Sequence, residues 1–333
     1  MTTLAAGLIT SDAALAALRP DWQLLWRRAP SATPFQSPAW LLPWWRQFGT
    51  GAPRVAVLHD EQALTGILPL YVLDDRSECK LLPMGAGITD YQDALLAPGA
   101  PADAAGQLLR VALRQARSDG VTVCDLIDLP PDAHLRAADL PDGWRGEWRS
   151  SDACPVLEFP AKIEQLRARV PAPMLRKLRM NRRRVARIGG CTTEIATEES
   201  VAMLLDALFR LHDARWAGEG VLGDPRVRAF HREAAPLLLA AGTLRLQVLR
   251  VAGRIVAAYH ALLAGPRRIL FYLSGYDPDH ARESPGTVLL GAMIEAAARE
   301  GRTELHFLRG GESYKYAWGG IDRMNAAWRL VPA

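Results

Sequence analysis

Cysteine is scarce in this 333-residue chain, and Cys79, Cys124, Cys154 and Cys191 stand far apart with no C-x-x-C. That spacing excludes the common zinc frameworks and carries no disulfide signature, so no metal is expected. Cys124 and Cys154 fall in apolar, strand-like runs and read as core residues, and a reducing cytoplasm is the expected compartment. Long apolar runs are missing too: no stretch reaches the ~18 residues of a spanning helix. Residues 1–18 lack the basic start and unbroken apolar run of a signal peptide. Nor is there much excess of one charge, since 40 Lys and Arg against 36 Asp and Glu leave a formal +4. Such a balance admits anionic ligands without calling for nucleic acid, and no finger, RNP or helix-turn-helix pattern occurs.

What is present is an ordinary globular mixture, 49% apolar and 23% charged, long enough for two domains. Residues 54–60 (RVAVLHD) and 66–73 (GILPLYVL) read as a β-hairpin. The segment LLPMGAGITDYQDALLAP holds at least one further strand. Residues 102–118 have helical spacing and close at Gly120, and residues 121–129 (VTVCDLIDL) are a strand. The second half runs in the same order: strands over 243–251, 254–263 and 268–275, a helix over 284–300 stopped by Gly301, and a strand over 303–308. The fold class expected is therefore α+β, two halves each with an antiparallel meander followed by helix and strand, divided at 1–160 and 161–333. A helical region over 163–188, 198–218 and 225–241 separates the meanders. In the first half Ser37, Pro38 and Gly49 delimit a short helix in which Pro43 predicts a kink or an early stop. Trp40, Trp44 and Trp45 read as core.

The most specific local pattern is ESPGTVLLGAMIEAAAREG, residues 283–301. Ser284 suits an N-cap, Pro285 the first helical position, and Gly286 and Thr287 leave the first free N–H groups unobstructed. A helix start of this kind takes phosphate on orphan donors at the positive end of the helix dipole. It is equally what a well-capped structural helix looks like. The corresponding start in the first half, PGAPADAAG, has Asp103 in its first turn, which repels a phosphate, so only the second half is expected to keep a nucleotide site.

The meander–helix–strand order, Y-D-P…E-S-P-G-T and the downstream F-L-R-G-G-E-S-Y-K together resemble the GNAT-like acyltransferases of the CelD/BcsL (cellulose biosynthesis) type, related to the FemAB double-GNAT group. The likeness is clearest over residues 170–320, and FQSPAW and TDYQD extend it loosely into the first half. It implies a double GNAT fold, acyl-CoA or acetyl-CoA as donor, an amine acceptor, and Gly286, Thr287 and Val288 facing the pyrophosphate. The chain departs from the usual Q/R-x-x-G-x-G/A phosphate loop, because residues 280–286 supply one glycine.

N-acylation needs a deprotonated amine, a polarised carbonyl and a proton for the leaving thiolate. His260, on the middle strand of the second meander, is a candidate base, and Tyr272, on the next strand, a candidate acid. In FLRGGESYKYAWGG, Glu312 is a second candidate base, and Arg309 and Lys315 are candidate anion holders; a glycine turn with solvated charges reads the same way. Asp90, Tyr91 and Asp93 in GITDYQDALL fit an ammonium acceptor or simple turn caps. Arg215 and Trp216 fit an acceptor cleft or a surface cation–π pair. The arginines of residues 176–187 form a solvated face, or touch an anionic membrane. The function expected is an acyl-CoA-dependent N-acyltransferase acting on an amino sugar, amino acid, lipid or metabolite amine, small or lipid-linked. The alternatives are a FemAB-like aminoacyl-tRNA-dependent transferase and a catalytically silent accessory protein of exopolysaccharide synthesis.

Overall fold

A computed structural model describes residues 4–333 except 62, 75–77, 161, 162, 217 and 218. The chain forms two compact units, Met1–Asp152 with Arg323–Ala333, and Ala153–Asp322. Both are mixed α and β. The boundary falls inside a strand, eight residues before the expected 160/161 division, and the last eleven residues belong to the first unit rather than the second.

The first unit opens with β1 (Ala5–Ile9), α1 (Asp12–Ala17), α2 (Arg19–Arg28) and α3 (Pro38–Phe48). Ser37 caps α3 through its side chain, as its position suggests. The helix continues past Pro43 to Phe48, without the expected early stop. Trp40, Trp44 and Trp45 are all buried along it, and each buried aromatic contributes enough to offset the ~3 kcal/mol cost of an internal proline. The meander follows: β2 (Pro53–His59), β3 (Leu64–Asp74) and β4 (Cys79–Pro83), with a short β5 (Leu95–Leu96) against β3. Helix α4 (Ala104–Ser118) then lays Leu108, Leu109, Ala112, Leu113 and Ala116 on the sheet, all buried at helical spacing. Next come β6 (Val123–Leu129), parallel to β4, and β7 (Trp144–Glu158), whose second half enters the other unit.

In the second unit the stretch expected as one helix over 163–188 is broken. A 3-10 turn at Ile163–Ala168 is followed by α5 (Ala172–Arg187), because Pro171 and Pro173 withhold the N–H groups that would join them. Then come β8 (Cys191–Ile195), α6 (Val201–Trp216), α7 (Pro225–Ala240), β9 (Leu244–Val251), β10 (Arg254–Ala264), β11 (Arg268–Tyr276), α8 (Pro285–Arg299), β12 (Glu304–His306) and α9 (Ser313–Ala317). Strands β8 to β11 pair antiparallel in sequence, β12 is parallel to β11, and the end of β7 pairs with β12. Ala257, Tyr259, Ala261, Ile269 and Phe271 share one core with α5 and α8. Helices α6 and α7 cover the opposite face. The backbone of α6 comes so close to β11 that a Cβ on Gly275 would lie 2.5 Å from the His212 nitrogen. The final strand β13 (Ile321–Pro332) pairs antiparallel with β6 through residues 326–330.

No helix among the described residues is long and apolar enough to cross a membrane. Cys124 and Cys154 are buried in β6 and β7, in the strand-like runs where they were expected.

Candidate functional site

Two irregularities of β11 open a site in the second unit. Its parallel pairing with β12 ends at Leu270 and His306, although β11 runs on to Tyr276. Beyond that point the chain after β12 follows β7 instead, with the Phe307 and Gly310 N–H groups donating to Pro155 and Ala153 carbonyls. Along the unpaired stretch lies a cavity of about 420 Å³. Phe271, Gly275 and Tyr276 form its floor, Gly286, Leu289 and Leu290 of α8 one wall, and Tyr314 and Trp318 another, with Lys177 and Arg215 at its edge. The second irregularity is a β-bulge: His260 is registered with Leu273 and Ala261 with Phe271, leaving Tyr272 as the extra residue.

The turn into α8 is built by its own side chains. Asp277 accepts from the Asp279 N–H and starts a 3-10 turn over Pro278–Glu283. Ser284 stands at N-cap, but in the left-handed region at φ 47°, and its hydroxyl donates back to the Ala281 carbonyl instead of capping the helix. The Thr287 and Val288 N–H groups both bond the Ser284 carbonyl. Pro285 has no N–H, so Gly286 is the residue of the first turn whose N–H has no protein acceptor among the described residues, and it lines the cavity. A Cβ there would meet only the Tyr276 ring at 3.7 Å, so the opening is not a steric requirement of the fold. Of the four residues expected at the phosphate, Val288 is buried in the core, and Ser284, Gly286 and Thr287 line the cavity.

Electrostatically the cavity edge is cationic. Arg215 lies 5.0 Å from the Trp216 ring and 5.2 Å from the Tyr276 ring, a stacking that fixes its plane. Neither Arg215 nor Lys177 has a carboxylate partner among the described residues, and the lining carries no Asp or Glu. Across from them Tyr314 is mostly buried. Its phenol is pushed up chiefly by burial and next by the Glu312 charge, with Arg215 opposing. Among the described residues no group of three or more His, Cys, Asp or Glu is disposed to hold a metal.

The other predicted residues are placed elsewhere. His260 and Tyr272 lie on the far side of the sheet, where their rings and that of His231 form a triangle with centroids 5.5–5.6 Å apart. His260 is wholly buried, both ring nitrogens lack partners, and burial pulls its pKa down to about 4. It is a neutral core imidazole, with the whole sheet between it and the cavity. Lys315 is buried, and its ammonium donates to the carbonyls of Leu308 (3.1 Å), Arg309 (2.5 Å) and Gly310 (3.0 Å) and pairs with Glu312 at 2.9 Å. It clamps the loop in which Leu308 takes φ 61° and is not free to hold an anion. Arg309 flanks that loop and does not line the cavity, whereas Glu312 is exposed and precedes the cavity residues Ser313 and Tyr314.

In the first unit Asp93 accepts from the N–H groups of His134 (2.7 Å), Leu135 (3.0 Å) and Ala94 (2.8 Å), capping the turn at His134–Ala137. Burial nonetheless raises its pKa to about 7, ahead of those three donors. Tyr91 packs edge-on against Phe35, and the Asp90 carbonyl receives the Asn325 amide. The void beside Tyr91 and Asp93 is about 20 Å³, room for a water and not for an acceptor. These three residues build the fold of the first unit; of the cavity residues, Lys177 and Ser313, Tyr314, Ala317 and Trp318 lay within motifs already noted in the sequence with other residues in the leading roles, and Arg215, read there as fitting a cleft or a cation–π pair, lines the cavity and stacks on Trp216.

Residues 173–316 match the family model described as Acetyltransferase (GNAT) domain. Among solved structures the chain is similar to FemX (10% identity, 93% of this chain and 95% of that chain, TM-score 0.67). It is also similar to the C-terminal domain of a putative lysylphosphatidylglycerol synthetase from Agrobacterium fabrum (14% identity, 82% of each chain, TM-score 0.58). A third similar structure is L-PGS from Bacillus licheniformis (13% identity, 88% of this chain and 91% of that chain, TM-score 0.57). At these identities the structures share the fold. No curated protein matches the sequence.

Proposed function

We propose that the second unit transfers an acyl group from a CoA thioester to an amine, with the donor in the cavity beside α8. The observation that carries this reading is the cavity itself. A Gly286 N–H with no acceptor among the described residues and two cations, Lys177 and Arg215, with no carboxylate partner among them meet an apolar wall of Phe271, Leu289, Leu290 and Trp318. The polar edge suits a phosphate-bearing carrier and the apolar wall its acyl arm. The match of residues 173–316 to an acetyltransferase domain supports the same chemistry. An aminoacyl-tRNA donor is the alternative, and its phosphates would meet the same two cations. The likeness to the CelD/BcsL type still rests on the shared motifs.

The thioester supplies an activated carbonyl, and the chain's residues do the rest. Tyr314, a cavity-wall phenol protonated at neutral pH, is assigned the proton donor to the departing thiolate, the role first given to Tyr272, and the proton released from the acylated nitrogen restores it. Glu312, exposed beside the cavity residues Ser313 and Tyr314 and paired with Lys315 at 2.9 Å, is the carboxylate assigned to take the proton of the arriving ammonium. The direct experiment is calorimetric titration of the purified protein with acetyl-CoA, alongside mass spectrometry of any ligand that co-purifies. Saturable binding that competes with CoA supports the reading. Acyl transfer from an aminoacyl ester without any CoA binding replaces it, and absence of binding to either donor leaves a silent scaffold.

A further inference from the structure

Helix α5 presents an arginine face whose charges the protein leaves unneutralised. Arg176, Arg179, Arg183, Arg184 and Arg187 surround Met180 in a shallow surface depression of about 410 Å³. These positions recur every three or four residues, so they form one stripe about 16 Å long on the helix. Arg182, on the flank, is satisfied by a bidentate pair with Glu295 at 2.9 Å, and Arg184 donates to the Arg282 carbonyl at 3.0 Å. Arg176, Arg179, Arg183 and Arg187 have no carboxylate partner among the described residues. Like charges at this spacing destabilise a helix, so the face is complete only against a multivalent anion.

Two observations decide which anion. Met180 is 44% exposed in the middle of the stripe and Ile188 is 43% exposed at its end, so apolar side chains stand among the guanidinium groups as they do on helices that lie in a lipid headgroup layer. The stripe contains no aromatic ring on which a base of single-stranded nucleic acid would stack. We propose that the arginine face of α5, residues 176–187, docks this protein on a membrane surface rich in anionic phospholipid. Guanidinium groups pair with headgroup phosphates in bidentate fashion, and Met180 enters between the headgroups. The same helix supplies Lys177 to the cavity, and the Arg184 bond holds it to the turn before Ser284. If the acyl-transfer reading is right, docking thus brings a lipid-borne amine to the cavity mouth; the docking itself does not depend on that reading.

The test is co-sedimentation of the full chain with vesicles of phosphatidylcholine alone and of phosphatidylcholine with on the order of a third phosphatidylglycerol. Binding is expected on the anionic vesicles only, and it is lost as salt is raised. The triple change Arg179→Glu, Arg183→Glu and Arg187→Glu is expected to lower vesicle affinity at least a hundredfold while leaving the melting temperature and the CoA titration unchanged. Met180→Ser lowers it severalfold without altering the salt dependence. Should the triple variant not fold, Arg183→Gln and the salt titration of the parent carry the same test. Equal binding to neutral vesicles, undiminished binding by the variants, or preference for single-stranded RNA over vesicles at equal phosphate would overturn the proposal. Docking without CoA binding would overturn the acyl-transfer reading and leave this one standing.

Discussion

The two units use one element order to opposite ends. In the first, α4 closes on its meander with Leu108, Leu109, Ala112, Leu113 and Ala116 inward, and a Cβ on Gly66 of β3 would lie 3.2–3.3 Å from Leu96, Leu108 and Leu58. In the second, α8 begins with Pro285-Gly286, β12 parts from β11 after three residues, and about 420 Å³ stays open. The helix starts differ in the same sense. Asp103 at the head of α4 engages Gln107 at 2.9 Å and Arg110 at 3.7 Å, whereas the head of α8 leaves a donor free. The same meander, helix and strand are filled in one unit and opened in the other. The opening is then a property of a few residues and not of the architecture.

The largest effect expected from this contrast is on pH. Asp93 in the first unit has its pKa raised from an ordinary 3.8 to about 7, so its contribution is present below 3.8 and lost as pH rises through 7. His260 in the second has its pKa lowered from 6.5 to about 4, so its contribution is present above 6.5 and lost as pH falls through 4. Each shift corresponds to about 3–4 kcal/mol over its window. As pH falls from 7 to 4, amide protection relative to the intrinsic exchange rate at each pH is expected to rise around Ala94 and Leu135 and to fall along β10. Parallel pH responses in the two units, or a His260→Leu variant that keeps the acid-side loss, would remove the contrast.

Next in size, Tyr314→Phe is expected to cut turnover by about a hundredfold or more with donor affinity within twofold, as befits a proton donor. Tyr272→Phe, on the other face, is expected to leave turnover within a factor of about three. If the two phenylalanine variants exchange these results, the cavity is not the reaction site. Gly286→Asp sets a carboxylate at the free N–H with only an ordinary contact to Tyr276. Donor Kd should rise about tenfold with an unchanged melting curve, and an unaltered Kd would detach the donor from α8. The smallest effect belongs to Gly99→Asp at the approach to α4. It meets nothing within 4 Å, but at φ +75° a side chain is strained, so a lowered melting temperature is expected with donor Kd unchanged; a matching rise in Kd there would move the donor to the first unit.

Period and punctuation made the meanders and the helices α3, α4 and α8 legible, because burial of one face repeats every two or 3.6 residues. The face itself was not legible. Alternation places Tyr259 and His260 on opposite sides of β10, but which side α8 covers depends on packing across the sheet, and the bulge at Tyr272 shifts the parity of β11 by one residue. Lys315 looked like a surface cation because nothing local signals that three carbonyls will turn inward to receive it. The parting of β12 from β11 and the pairing of β13 with β6 are long-range. Strand β7, mostly exposed and polar over its first half, carries no alternation that would mark it. Gly286 was found because a helix start is a local event.

The last strand also sets an order of events in synthesis. Residues 326–330 pair with residues 124–129, so the first unit cannot complete its sheet until residues 326–330 have left the ribosome. The intervening ~190 residues take on the order of 10–40 s to make. During that interval the flank of β6 that will receive β13 is an open strand edge, ready to pair with any extended chain that meets it. The second unit, continuous in sequence, has no such wait. The nascent protein would thus mature from the middle outward, and its vulnerable surface lies in the unit that does not carry the candidate site.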